Sequence, residues 1–214
     1  MDAVAESTCA LIDIWYDRDK MKRKIVPQKL VRQLPDAVKE AYRQWADYMY
    51  ERVPFNMPDS KMHATAHSER VLLYALMMGD KLLPGDAEAL EVLGHAAIFH
   101  DTRRMTEWAD KGHGARGADF YEAFCRDNDD MTYHPEAACL MRYHDRRDER
   151  GRDAIAEAFA EQSERVQLLY QIFKDADGLD RWRLGPRGLK PDYLRTDEAV
   201  NLLGFARTLV AMTS

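Results

Sequence analysis

The chain has 214 residues, 46% of them hydrophobic, enough for one sizeable core and short for two independent ones, so a single domain is expected. Its 31 basic and 37 acidic residues give a formal charge of −6 without a long single-sign tract, which argues against binding polymeric nucleic acid over a broad surface. Cys9, Cys125 and Cys139 lack a CxxC spacing and point away from a disulfide framework or a zinc-thiolate site. With no basic leader and no run of ~18 apolar residues, a soluble cytoplasmic protein without a membrane segment is expected.

In chain order, residues 3–16 carry Val4, Leu11, Ile12, Ile14 and Trp15, compatible with a short amphipathic helix, and Asp17 to Lys24 reads as a charged connector. Between Asp36 and Val53, Val38, Ala41, Tyr42, Trp45, Tyr48 and Met49 fall at helical spacing after Pro35, and Pro54 and Pro58 close the segment. Ala64 to Met78 has the same period and places His67 one turn before Val71. Gly79, Pro84 and Gly85 then break the chain, and Asp86 is placed to cap a helix that runs to Phe99. His100 and Asp101 fall where that helix ends.

Thr102 to Gly117 reads as a polar loop leading into a helix near His113 to Phe124, and such loops beside rigid elements commonly carry chemistry. After the acidic turn Asp127 to Asp130, Pro135 to Arg147 predicts a helix with Ala137, Leu140, Met141 and His144 along one face. A short helix is expected over Asp153 to Phe159 and a longer one over Ser163 to Leu179. A Gly/Pro-rich loop from Leu184 to Pro191 precedes a last helix from about Asp197, capped by Thr196 or Asp197, with Val200, Leu203, Phe205, Leu209 and Val210 as its apolar face. No alternating strand pattern or repeat occurs, so the fold class is all-α, a single compact helical bundle.

The metal-binding residue types sit at the ends or inner faces of different helices: His67, His100, Asp101, His113, His144 and an acid from the segment Lys174 to Asp180. Neutral imidazole nitrogens mixed with anionic oxygens suit Zn²⁺, Mn²⁺ or Fe²⁺, and facing helices of a bundle can aim them at one spot. Periodicity leaves the late acid open between Asp175 and Asp177. His63 lies one turn before His67 and is a candidate contact to substrate or a proton relay. His95, among Leu93, Gly94 and Ala96, reads as a core histidine, and His134 as a helix-start residue, so both are left out of the metal site.

The ordered set His67, His100-Asp101 and Asp177, in the contexts His67-Ser68-Glu69-Arg70-Val71, Ala97-Ile98-Phe99-His100-Asp101 and Ala176-Asp177-Gly178-Leu179-Asp180, resembles the HD-domain superfamily of metal-dependent phosphohydrolases. The resemblance covers roughly residues 60–182 and implies residues 59–214 as the catalytic core, with residues 1–58 as a helical arm packed on it. It implies one metal held by His67, His100, Asp101 and Asp177 and a second added by His113 and His144, with Asp101 bridging and Asp175 and Asp180 in support. One or two divalent ions are thus expected, from manganese, iron, zinc, nickel, cobalt or magnesium. Thr102-Arg103-Arg104 stands where many members carry Gly-Lys after the HD pair.

The implied activity is hydrolysis of a phosphate ester or anhydride of a small molecule, preferably a nucleotide, by metal-activated water. Arg104 and Lys111 are candidate catalytic residues beside Asp101, and His63, Arg103 and Arg116 are candidate substrate contacts, because guanidinium groups grip phosphate oxygens bidentately. The expected partner is a small anionic phosphorylated substrate, with neither polymeric nucleic acid nor membrane, and a homodimer is possible. Two competing readings are a mixed-valent di-iron oxygenase on the same scaffold and a nucleotide-sensing binding module.

Overall fold

Pro35 presets the turn before the first long helix, and the sequence between it and Pro54 then buries one side residue by residue. In the computed structural model, which describes residues 24–213, this is α2 (Asp36–Arg52), with Val38, Tyr42, Trp45, Ala46 and Met49 facing inward. A single helical turn, α1 (Gln28–Val31), comes before it. The expected helix over 3–16 and Cys9 lie outside the described residues. Among those residues there are ten α-helices and no strand, and none of the helices is long and apolar enough to cross a membrane.

α3 (Thr65–Leu82) and α4 (Ala87–Phe99) form the centre of the bundle. Both are buried around most of their circumference: Val71 to Leu76 is fully covered, and so is Val92 to Phe99. A helix apolar on all sides must be wrapped by others. Here α2 and α8 (Ser163–Leu179) cover α3, while α2, α6 (Pro135–His144) and α8 cover α4. Asp86 accepts a hydrogen bond from Ala89 N at 2.8 Å and caps α4, as its position suggested.

Around this pair, α5 (His113–Asp127) packs on α6, and α7 (Asp148–Ala158) lies against α6 and α8. The chain ends in α9 (Asp197–Asn201) and α10 (Leu203–Thr213). Four boundaries depart from expectation. α3 does not break at Gly79 but runs through it, buried, to Leu82. The helix after Pro135 stops at His144, where Asp145 turns away and accepts a hydrogen bond from Gly112 N at 2.7 Å. α7 begins at Asp148, five residues earlier than its apolar residues imply, because only Gly151 and Ile155 are buried on it. The last helix is two helices broken at Leu202, with Thr196 capping the first through a bond from Ala199 N at 3.2 Å; Val200, assigned to the apolar face, is 48% exposed.

Buried polar groups pin these elements. Glu69 on α3 is fully buried and accepts bonds from Ile25 N, Val26 N, Tyr50 Oη and Tyr42 Oη, tying α2 and the incoming chain to the central helix. A buried carboxylate is tolerated only when its lone pairs are filled in this way.

Candidate metal centre

Five helix ends meet at one place. His67 lies in the first turn of α3, His100 directly follows α4, His113 opens α5, His144 closes α6 and Asp177 is in the last turn of α8. Because α4 is wrapped by its neighbours, the pair after it stays covered: His100 is fully buried and Asp101 is 4% exposed. Thr102 Oγ1 donates to Phe99 O at 2.7 Å and fixes the turn that aims Asp101 inward.

The hydrogen bonds on the far side of each imidazole set its tautomer. His100 Nδ1 donates to Ala97 O at 2.9 Å, His144 Nδ1 to Met141 O at 2.7 Å and His113 Nδ1 to Asp110 O at 2.7 Å. His67 Nδ1 donates to the Asp180 carboxylate at 2.8 Å. Each ring therefore turns a bare Nε2 lone pair into the site. Yet these Nε2 atoms face one another, at 3.1 Å between His67 and His100 and 2.9 Å between His113 and His144. Two lone pairs at that distance repel unless a cation lies between them.

Asp101 joins the two pairs. Its Oδ2 is 3.7 Å from His67 Nε2 and 4.0 Å from His100 Nε2, and its Oδ1 is 3.1 Å from His113 Nε2 and 3.7 Å from His144 Nε2. Oδ1 is buried and has no hydrogen-bond partner, the signature of an acceptor kept for an ion. Ligand atoms of His67, His100 and Asp101 lie within 4.8 Å of one another, as do those of Asp101, His113 and His144. Asp177 Oδ1 stands 3.4 Å from His67 Nε2. The residues present fit two divalent ions sharing one carboxylate.

The charge state agrees. Burial pushes His100 down to about 3, so it is neutral. Burial pulls Asp101 upward, but His100, His113, His144 and His63 more than offset it and hold the carboxyl well below the usual range. Asp177 is held low in the same way by His67, His144 and His100. His144 is lowered by burial but raised more by Asp101 and Asp177, so the two acids draw in positive charge from whatever source is at hand. Of the two candidate late acids, Asp177 is the one that faces the histidines. Asp175 instead accepts from Arg195 N and Thr196 N and anchors the segment before α9.

A cavity of about 660 Å³ opens over the carboxylates, walled by His63, Arg104, Arg146, Arg181 and Arg183, with Trp108 at its rim. His63 Nδ1 is 3.1 Å from Asp101 Oδ2 and Arg104 Nη1 is 3.7 Å from Asp101 Oδ1, so both face the site as expected. Three other candidates do not line the cavity, and the reason is local. Arg103 donates to Pro54 O at 2.7 Å and lies flat on Phe120, its guanidinium carbon 3.2 Å from the ring centre. Arg116 is engaged by Asp110 through two bonds of 2.7 Å, and Lys111 is exposed on the loop.

Sequence reasoning missed Arg146, Arg181 and Arg183. The only signal for the last two was their position directly after Asp180, one to three residues beyond the ligand segment. Asp180 itself, buried, holds His67 and also accepts from Arg70 Nε at 2.5 Å.

Residues 65–182, more than half of the chain, match the family described as HD domain. No curated protein and no solved structure matches the chain.

Proposed function

The chain belongs to the HD-domain family, and from that premise we propose that it is a metal-dependent phosphohydrolase that cleaves an ester or anhydride of a small phosphorylated molecule, a nucleotide by preference. The observation that carries this reading is the bridging carboxylate of Asp101 between two facing pairs of imidazole lone pairs, under an arginine-walled cavity. His67, His100, Asp101 and Asp177 would hold one ion, and Asp101, His113 and His144 would hold a second. When bound, divalent ions supply Lewis acidity toward phosphoryl oxygens and an activated water.

The chain's own residues bind, orient and move protons. Arg104, Arg181 and Arg183 offer guanidinium groups to phosphoryl oxygens, with Arg183 held by Met62 O at 2.7 Å and by Asp180 at 3.5 Å. His63 belongs to neither facing pair and lines the cavity, so it is assigned the proton for the leaving oxygen. A second groove of about 460 Å³ meets the cavity at Asp177, Arg181 and Leu184 and continues past Arg187 and Lys190. It gives room and charge for further phosphates or a base. Free Cys125 and Cys139 suit the cytoplasm.

The test is release of phosphate or a nucleoside from a panel of mono-, di- and triphosphates supplied with Mn²⁺, with and without chelator. Activity lost on chelation, and on Asp101→Ala, is the expected result. Asp101→Ala should also carry two fewer ions per chain than the parent, and His144→Ala one fewer. Oxygen uptake by the iron-loaded protein without phosphate release would move the assignment to the oxygenase. Nucleotide binding by a metal-replete, inert protein would move it to a sensor.

A further inference from the structure

α4 carries another pair of groups on its opposite side. Glu91 and His95 are four residues apart and so share a face. His95 precedes His100 by five residues, which is about 7.5 Å along the axis and over a third of a turn around it. His134, the residue just before α6, approaches the same point: its Nε2 is 3.5 Å from Glu91 Oε1, and its ring centre is 5.1 Å from that of His95.

Two buried ring nitrogens here have no hydrogen-bond partner. Tyr121 Oη accepts from His134 N at 3.0 Å and lies 3.3 Å from Thr132 O. His95 Nδ1 is engaged by the same hydroxyl at 2.8 Å, which leaves Nε2 as the ring nitrogen open to a ligand. This atom is buried and has no partner, on a residue with no exposure, and His134 Nε2 is buried without one too. A His134–Glu91 ion pair is no substitute: 3.5 Å makes no hydrogen bond here, and it leaves His95 Nε2 orphaned.

We propose that Glu91, His95 and His134 form a separate, mononuclear site for a divalent transition ion of the zinc class. One ligand atom from each lies within 4.8 Å of the others. Tetrahedral bonds of about 2.0–2.1 Å place ligands about 3.3 Å apart, so small side-chain rotations close the set. Two imidazoles and one carboxylate make a borderline N/O donor set that prefers Zn²⁺, Ni²⁺ or Cu²⁺ over Mg²⁺ or Ca²⁺. The His95 ring is held edge-on against Trp45 at 4.2 Å between centres, while the Glu91 side chain is 40% exposed. The fourth position therefore opens at the surface, giving an entry path. An ion there clamps α4 to the start of α6, the helix that ends in His144.

The experiment uses the full chain carrying Asp101→Ala, so that the central site does not mask this one and failure of the phosphohydrolase reading does not bear on it. Zn²⁺ binding is measured by equilibrium dialysis, and Co²⁺ binding by its visible absorption. The expected result is one equivalent per chain, weakened about tenfold or more by Glu91→Gln and abolished by His134→Ala. Glu91→Gln alters only a partly exposed side chain, so it keeps the test valid where His134→Ala disturbs the helix start. Less than half an equivalent at micromolar free Zn²⁺, or an equivalent that survives both substitutions, overturns the proposal.

Discussion

Asp180 takes no place among the ligands, yet two functions pass through it. It orients His67 through Nδ1 and is the charge partner of Arg70, whose side chain is 2% exposed. Asp180→Asn keeps the shape but loses the charge, so two losses are expected: about 3–5 kcal/mol of stability from the stranded guanidinium, and about 10–100-fold in affinity for the central metal through His67. Denaturant melts and metal competition read these separately; unchanged affinity with lowered stability would make Asp180 a partner of Arg70 alone. Gly114 acts by absence. A Cβ there would collide with Met141 O and lie 2.8 Å from His144 Nδ1, the bond that sets that ring's tautomer. Gly114→Ala is expected to cost one of the two central ions while the ion at His67, His100 and Asp177 stays, as metal analysis would register.

The elements divide by how much of their burial was written in periodicity. α8 runs over Ser163–Leu179, the bounds its Val166, Leu169, Ile172, Phe173 and Ala176 stripe predicts, and α2 and α4 are nearly as clear. The first turn of α7 was hidden because it is fastened by charge instead. Asp148 at its start pairs with Lys174 Nζ at 2.7 Å and Arg195 Nε at 2.8 Å, joining α7, α8 and the segment before α9. The clustered His and Asp side chains were legible because each stood beside a helix end with a distinctive residue type; the arginine wall was not, since a guanidinium in a loop carries no pattern telling which side it faces. Arg103 and Arg183 look alike in sequence, and only the Phe120 ring under one and Met62 O beside the other separate them. The Asp148 junction has a pH signature. Burial opposes it, but Arg195 and Lys174 hold the Asp148 carboxyl down to about 2. A depressed folded pKa means the stabilisation is complete above the unfolded value of about 3.9 and is lost as pH falls toward 2. With the side chain about a quarter exposed, screening reduces it to on the order of 1 kcal/mol. The gap in urea midpoint between the parent and Asp148→Asn should thus hold from pH 7 to 5 and narrow from pH 4 to 3; a constant gap would exclude the carboxylate's charge as its origin.

Across the whole molecule, the family match and the cavity do not coincide. Residues 65–182 hold every candidate central ligand, whereas His63 lies before the match and Arg183, Arg187 and Lys190 lie after it. The His/Asp cluster is thus inside the matched span and the walls of the cavity are partly outside it, which is why the candidate metal centre was readable and a substrate was not. The net charge of −6 is reversed locally along this wall. Lys174 and Arg195 are committed to Asp148, which leaves Arg181, Arg187 and Lys190 to set the potential of the groove. Arg187 is exposed and lies in the groove beyond the cavity, too far along to meet the phosphate being cleaved if that phosphate sits over Asp101. Arg187→Gln is therefore expected to leave kcat and the metal content unchanged for every substrate. It should raise KM about threefold to tenfold for substrates with two or more phosphates and hardly at all for monophosphates, since an exposed charge contributes about 1 kcal/mol. The effect should fade as salt rises from 0.05 to about 0.5 M, where the Debye length shrinks below the span of a polyphosphate. An equal rise in KM for mono- and triphosphates would mean that the groove does not hold the phosphate chain, and that the base or another part of the substrate occupies it.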